Sequence, residues 1–250
     1  MTAPVAGRAG RVRALVRLES LYVRRLIIPP FVYLALPFVL MAFLREAMRR
    51  FFAFELVYWA NGAEFVVPAQ AVLFGYMATE HAGLWVFAEH SWKTWDRVRA
   101  TPASTGEVLS AKGLFWTAYL AVQLLILVVG GGLVFGLHVN GSIPAFALLL
   151  AVNLITTVAF GFCGVALCPS QAAFDAWTYG GALLLAAIGG AITPGRLLPG
   201  WAKAVAPASP ITWVMRGVDA VVVRNGGLAD VVRPCLVLLA FAAGFALVGW

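Results

Sequence analysis

Charged residues are scarce in this sequence: they fill 12% of its 250 positions, against about 25% in a typical soluble domain. Cysteine is almost as rare. Three are present, Cys163, Cys168 and Cys235, an odd number lying in or beside apolar stretches with no histidine cluster nearby. That pattern supports neither a disulfide framework nor a zinc site and marks the three as packing residues. There are only three histidines and no HExxH, which excludes the common zinc-protease arrangement. No GxxxxGK[ST] stretch occurs, so the chain is expected to hydrolyse no ATP itself.

What fills the space is apolar. Hydrophobic residues make up 62% of the chain and the mean hydropathy is +0.90. Apolar runs of about 18 residues or more recur, each long enough to cross a bilayer as a helix, so the fold class expected is an all-α polytopic membrane protein. The net charge of +7 does not indicate nucleic-acid binding. Six arginines precede residue 26 and the rest are dispersed between apolar runs, as orientation signals and headgroup contacts are.

Residues 8–25, RAGRVRALVRLESLYVRR, have the periodicity of an amphipathic helix. Val12, Leu15, Val16, Leu18, Tyr22 and Val23 fall within an arc of roughly 160°, with Arg13, Arg17 and Arg24 opposite. Residues 1–25 are therefore expected to form a cytoplasmic interfacial helix. Glu19 interrupts the apolar arc, which requires either a basic partner in the fold or a protein contact. The basic start followed by apolar residues is reminiscent of a signal peptide, but the run is too long and no small-residue cleavage site follows.

Six spans are predicted in 26–250, at roughly 26–44, 65–87, 114–137, 144–167, 174–193 and 229–249. Pro29, Pro30 and Pro37 predict a distorted first span. GGGLVFG in the third and GFCG in the fourth supply small residues for close helix approach. Between spans five and six, 194–228 holds apolar pieces of only about 10 residues cut by Pro199, Pro207 and Pro210, lengths suited to an extracellular re-entrant segment. Trp201 and Trp213 there fit an aromatic belt, and Arg216 and Asp219 are spaced to pair on one helical face. Glu46 is likewise spaced to pair with Arg49 and Arg50. Counting Lys and Arg outside the spans gives ten on the amino-terminal side plus the loop after span two, against seven opposite. Both termini and that loop are thus expected in the cytoplasm.

That loop is the most polar part of the interior. A helix over Trp92–Ala100 is expected to stop before Thr101-Pro102. A second helix should begin at Ser104 or Thr105, with Glu107 in capping-box spacing, and run through Lys112 into span three. By itself such a knob is either a solvated connector or a docking surface. Glu80 and His81 lie inside span two, Glu80 about 12 Å from the cytoplasmic end. An ionisable group there faces the bundle interior, a cavity or a partner, either as a hydrogen-bonded structural element or in a transport path. His81 and His90, nine residues apart, face opposite sides of one helix, which argues against a joint metal site.

From Glu89 the loop reads E-x-x-x-x-T-W-D-R-V-R-A-T-P-A-S-x-x-E-V-L-S-A-K. This resembles the signature loop of ABC-2-type permeases, the membrane subunits of type II ABC exporters; Trp92 and Lys93 depart from the common form. The likeness extends to the amino-terminal helix, six spans and the Pro-rich LLPGWAKAVAPASPITWVMRG segment. The resemblance implies that loop 89–112 couples the chain to a separate ATPase through Glu89, Thr94, Arg97, Arg99, Pro102, Glu107 and Lys112. It implies two ATPase subunits, which would bind ATP and Mg while this chain binds no cofactor, and a second permease copy or close relative. Location in the inner (plasma) membrane and a small amphipathic or lipid-linked substrate also follow from it, with membrane lipids as partners, no nucleic acid, and Glu80 and His81 as possible path residues. The competing class is an ion- or proton-coupled secondary transporter using Glu80, against which no internal repeat is found. An intramembrane enzyme lacks any recognisable catalytic arrangement.

Overall fold

A computed structural model describes residues 7–25, 28–81, 83, 86–87 and 104–249. Among these the chain is helical throughout, with no strand. Helix α1 is Arg8–Arg25, α2 is Ile28–Phe54 and α3 is Ala63–Met77. Helix α4, Thr105–Leu125, continues through a π-helical turn at Ile126–Gly130 into α5, Gly131–Phe135. Then come α6, Ile143–Leu167, and α7, Gln171–Asp175, which passes through a second π turn, Ala176–Gly181, into α8, Ala182–Gly189. Two short helices, α9 (Gly200–Val205) and α10 (Pro210–Val218), precede a third π turn, Asp219–Val223, and the last helix, α11 (Leu228–Gly249).

Among the described residues five stretches are long and apolar enough to cross a membrane: Phe31–Phe54, Gly106–Phe135, Ile143–Leu167, Gln171–Gly189 and Leu228–Gly249. They correspond to five of the expected spans, although the first helix runs ten residues past its expected end at 44. The described helix of the second expected span, α3, has 15 residues. Pro37 sits inside α2 without ending it.

The core is built where small residues let these helices touch. A Cβ on Gly131 would stand 3.1 Å from both Met41 of α2 and Val67 of α3, so the glycine run of the third span seats it against the first two. Gly161 does the same for α6 against Thr79, where a Cβ would come within 2.9 Å. Cys163 and Cys235 are buried packing residues and all three thiols are free.

The loops collect at two ends. At one, Asn61 donates to the Gly136 carbonyl (2.6 Å), Gly141 N–H to Val221 (2.9 Å) and Ser142 N–H to Gly226 (3.0 Å). Glu64, fully buried, accepts from the backbone N–H groups of Asn61 (2.9 Å), Gly62 (3.0 Å) and His138 (3.3 Å), tying the start of α3 to the connection after α5. A buried carboxylate is tolerable when such donors surround it. Gly62 has φ +94°, and a Cβ there would fall 2.2 Å from the Arg45 carbonyl oxygen, so no other residue fits. At the opposite end lie α1, the start of α4, Phe162 and the end of α11, where Gly249 backs onto Cys163.

Two expectations for the 194–228 segment are corrected. Trp213 is 8% exposed rather than in a surface belt: its indole N–H donates to the Pro207 carbonyl at 3.0 Å, while Arg216 and Arg233 sit over its ring. Asp219 does not pair with Arg216. It accepts from Arg224 at 2.6 Å and lies 3.9 Å from Arg196, while Arg216 is laid over the Trp213 ring instead.

Candidate functional site

The second helix of the polar loop begins as its sequence dictates. Ser104 is the N-cap: its hydroxyl accepts from Glu107 N–H (3.3 Å), and the Glu107 carboxylate accepts from Ser104 N–H (2.9 Å). The Glu107 carboxylate also receives Arg11 of α1 through two bonds, at 3.1 and 2.7 Å. The paired N–H fork of a guanidinium fixes direction as well as charge. One to two turns on, Lys112 donates to Glu19 of α1 at 2.6 Å, with side chains 6% and 4% exposed. Glu19, the misfit in the apolar arc, thus meets a basic partner within the fold. Around it Val12, Leu15, Val16 and Leu18 are half-buried, while Arg13 and Arg17 face outward. The outcome is a clasp: α1 is held along the base of α4 by two ion pairs that run in the same sense along both helices.

Of the loop residues singled out, Glu107 and Lys112 are brought together with α1. Glu89, Thr94, Arg97, Arg99 and Pro102 lie outside the described residues, as do the helix expected over Trp92–Ala100 and His90.

Near the middle of the bundle a second polar group gathers. After Met77 the chain tightens, with Thr79 N–H bonding to Tyr76 (3.3 Å) and His81 N–H to Ala78 (3.2 Å), while the Thr79 hydroxyl also donates to the Tyr76 carbonyl at 2.6 Å. These i to i−3 bonds re-aim Glu80 and His81. Both are buried, at 8% and 3% exposure, with a Glu80 oxygen 3.4 Å from His81 Nδ1. The His81 ring stands edge-on to Tyr33 (4.7 Å between centroids) and lies 5.8 Å from Tyr119. Tyr33 donates to the hydroxyl of Tyr179 at 2.7 Å. The Tyr179 hydroxyl, from the π turn after α7, is directed at Glu80 as a hydrogen-bond donor, and the charge of Asp175 acts on Glu80 as well. The tyrosines and Asp175 were not singled out from the sequence. Asp175, an ionisable residue within an apolar run, is the one that carried a signal.

A cleft of about 820 Å³ opens at the far end, between the end of α2, the start of α3, the end of α8 and residues 194–224. Arg196 spans its rim, pairing with Glu55 and lying beside Asp219, and Lys203 donates to the Arg196 carbonyl (2.7 Å). Burial pushes the Asp219 carboxyl above its usual range, Arg196 works against that shift, and Glu55 adds to it.

Long apolar helices, close glycine contacts and ionisable groups kept to the bundle interior and ends define a multi-pass α-helical membrane protein. The sequence matches the ABC-2 type transporter family over residues 37–223, well over half of the chain, and the protein belongs to that family. It is therefore a permease component of an ABC transporter, the membrane part rather than an enzyme. Comparison with curated proteins and with solved structures returned no match.

Proposed function

We propose that this chain is the permease subunit of an ATP-driven exporter of the plasma membrane, gripped through residues 89–112 by a separate ATPase. In this reading six spans cross the bilayer, the end holding α1 and the carboxyl-terminal helix end faces the cytoplasm, and 194–228 forms a re-entrant segment outside. Two permeases, identical or closely related, work with two ATPase subunits that bind ATP and Mg. Glu89, Thr94, Arg97, Arg99 and Pro102 belong to the docking surface. Glu107 and Lys112 pass its movement into the bundle, and Glu80 and His81 line the transport path.

The observation that carries this reading is the clasp. A loop that merely connected two spans has no need of two ion pairs to a helix about 90 residues earlier in sequence. A loop that is pushed does, because force on its second helix then moves α1 and span three together. Mixed charge on the loop suits register and partner choice.

The test is co-purification with a P-loop ATPase and measurement of hydrolysis by the complex. Reversing Arg97 and Arg99 to Glu should reduce ATPase association or substrate-stimulated hydrolysis while the chain still inserts. Pro102→Ala should keep some association but uncouple hydrolysis from export, since it removes the break between the two helices. Assembly and transport at normal levels in the double reversal would refute the docking role. A carrier driven by ions or protons through Glu80 would instead move substrate without ATP.

A further inference from the structure

The group around Glu80 holds two carboxylates and three tyrosines, and among the described residues neither Glu80 nor Asp175 pairs with a lysine or arginine. A carboxylate in the hydrocarbon layer is costly, and a second one acting on it adds to the cost. Elsewhere this chain balances its buried acids within itself: Glu19 has Lys112, and Glu64 has three backbone donors. Here it does not. Among the described residues His81, 3% exposed and packed between Tyr33 and Tyr119, makes no hydrogen bond through either ring nitrogen, and only Nδ1 has a neighbour, the Glu80 oxygen at 3.4 Å. A buried imidazole nitrogen with no partner is an unfilled polar site.

The surroundings indicate what fills it. A proton would neutralise a carboxylate without any need for aromatic walls, whereas the ring faces of tyrosines attract cations. The Tyr33 hydroxyl is committed to Tyr179 and the Tyr179 hydroxyl to Glu80, which leaves their rings rather than their protons to meet a ligand. The π turn at Ala176–Gly181 matters here. Asp175 lies just before that turn and Tyr179 within it, so the two are not placed as i and i+4 of a regular α-helix. The site opens outward: Tyr179 is 39% exposed, and Leu183 and Leu36, a turn from Tyr179 and Tyr33, are 51% and 42% exposed. A molecule reaching it from the lipid would lay an apolar body along these leucines.

Resting on the transport-path reading of Glu80, we infer that this cluster recognises a lipophilic organic cation, its positive head held by Glu80, Asp175 and the tyrosine rings. The substrate class is thereby narrowed from amphipathic molecules in general to cationic ones.

The test uses two probes of the same shape and opposite charge, tetraphenylphosphonium and tetraphenylborate. Saturable binding to the full chain in nanodiscs is measured after subtraction of empty nanodiscs. Tetraphenylphosphonium should bind at least about tenfold more tightly than tetraphenylborate, and Glu80→Gln should weaken it by about tenfold or more. Tyr179→Leu should weaken it several-fold and Tyr179→Phe much less, because the ring survives. Glu46→Gln, an exposed carboxylate away from the cluster, should change nothing. Equal binding of the two probes overturns the inference, as does unchanged tetraphenylphosphonium binding in a Glu80→Gln protein that elutes as the parent does. Should Glu80→Gln fail to fold, the Tyr179 pair decides by the same comparison. ATPase association separates the two claims. A complex that assembles and hydrolyses ATP without binding tetraphenylphosphonium removes the cation class and leaves the permease reading. Glu80-dependent cation binding by a chain that recruits no ATPase does the reverse.

Discussion

Removing Lys112 tests the clasp most directly. Its ammonium lies 2.6 Å from Glu19, and with both side chains at most 6% exposed, Lys112→Met leaves a carboxylate with little water to turn to. Removing one member of a buried pair costs about 3–5 kcal/mol, whereas replacing both by apolar residues of similar volume is often close to neutral. Lys112→Met should therefore destabilise by about 3 kcal/mol, and Glu19→Met with Lys112→Met should recover most of that loss. A double-mutant cycle isolates this pair from other contacts of either residue and should give a coupling above about 2 kcal/mol. The Arg11–Glu107 cycle should give less, because Arg11 is 27% exposed and is screened by water. Reversible unfolding in mixed micelles, followed by tryptophan fluorescence, measures both. Added salt should weaken the Arg11 cycle and leave the Lys112 cycle nearly unchanged. Additive single mutants, with coupling below about 0.5 kcal/mol, would refute the reasoning that the pair is buried and bonded.

Glu64→Ala orphans three backbone N–H groups and should cost about 3 kcal/mol or more, seen as a lowered melting temperature, while Glu46→Ala at a 50% exposed site should leave the melting temperature nearly unchanged. Gly62→Ala should destabilise by more than the roughly 1 kcal/mol of the left-handed backbone alone, since its Cβ has no room beside Arg45; melting temperatures check this too. With the native cysteines replaced, Thr105→Cys should react with an impermeant thiol reagent only from the cytoplasmic side and Lys203→Cys only from outside. Labelling of both from one side would overturn the proposed topology.

Local signals in the sequence were reliable where the physics is local. The capping box at Ser104, the Glu46 pairs with Arg49 and Arg50, and the Val12, Leu15, Val16 and Leu18 part of the amphipathic arc of α1 all rest on residues within a few positions of each other, and all are present. Glu19 was legible as a misfit, but its partner, 93 residues away, was not, because spacing says nothing across separate helices. The Arg216–Asp219 pairing failed for a different reason: Arg216 lies over the Trp213 ring and Asp219 meets Arg224 and Arg196, a choice among partners that spacing alone does not decide. Tyr179 and Asp175 were hidden because their joint approach to Glu80 is decided by how spans two and five pack. Trp213 was misplaced because an indole with a buried carbonyl partner looks, in sequence, like one at the membrane surface.

The clasp also sets an order on how the chain comes into being. Helix α1 leaves the ribosome well ahead of α4, since Glu107 and Lys112 follow Arg11 and Glu19 by 96 and 93 residues. At ordinary synthesis rates that interval lasts roughly 5–20 s. Until span three is being made, the helix can adopt its turns but cannot form these two pairs. Its final seat is assigned only after spans one and two have been handed to the membrane. A nascent chain arrested near residue 100 should therefore leave α1 open to protease, and one arrested well beyond 150 should protect it.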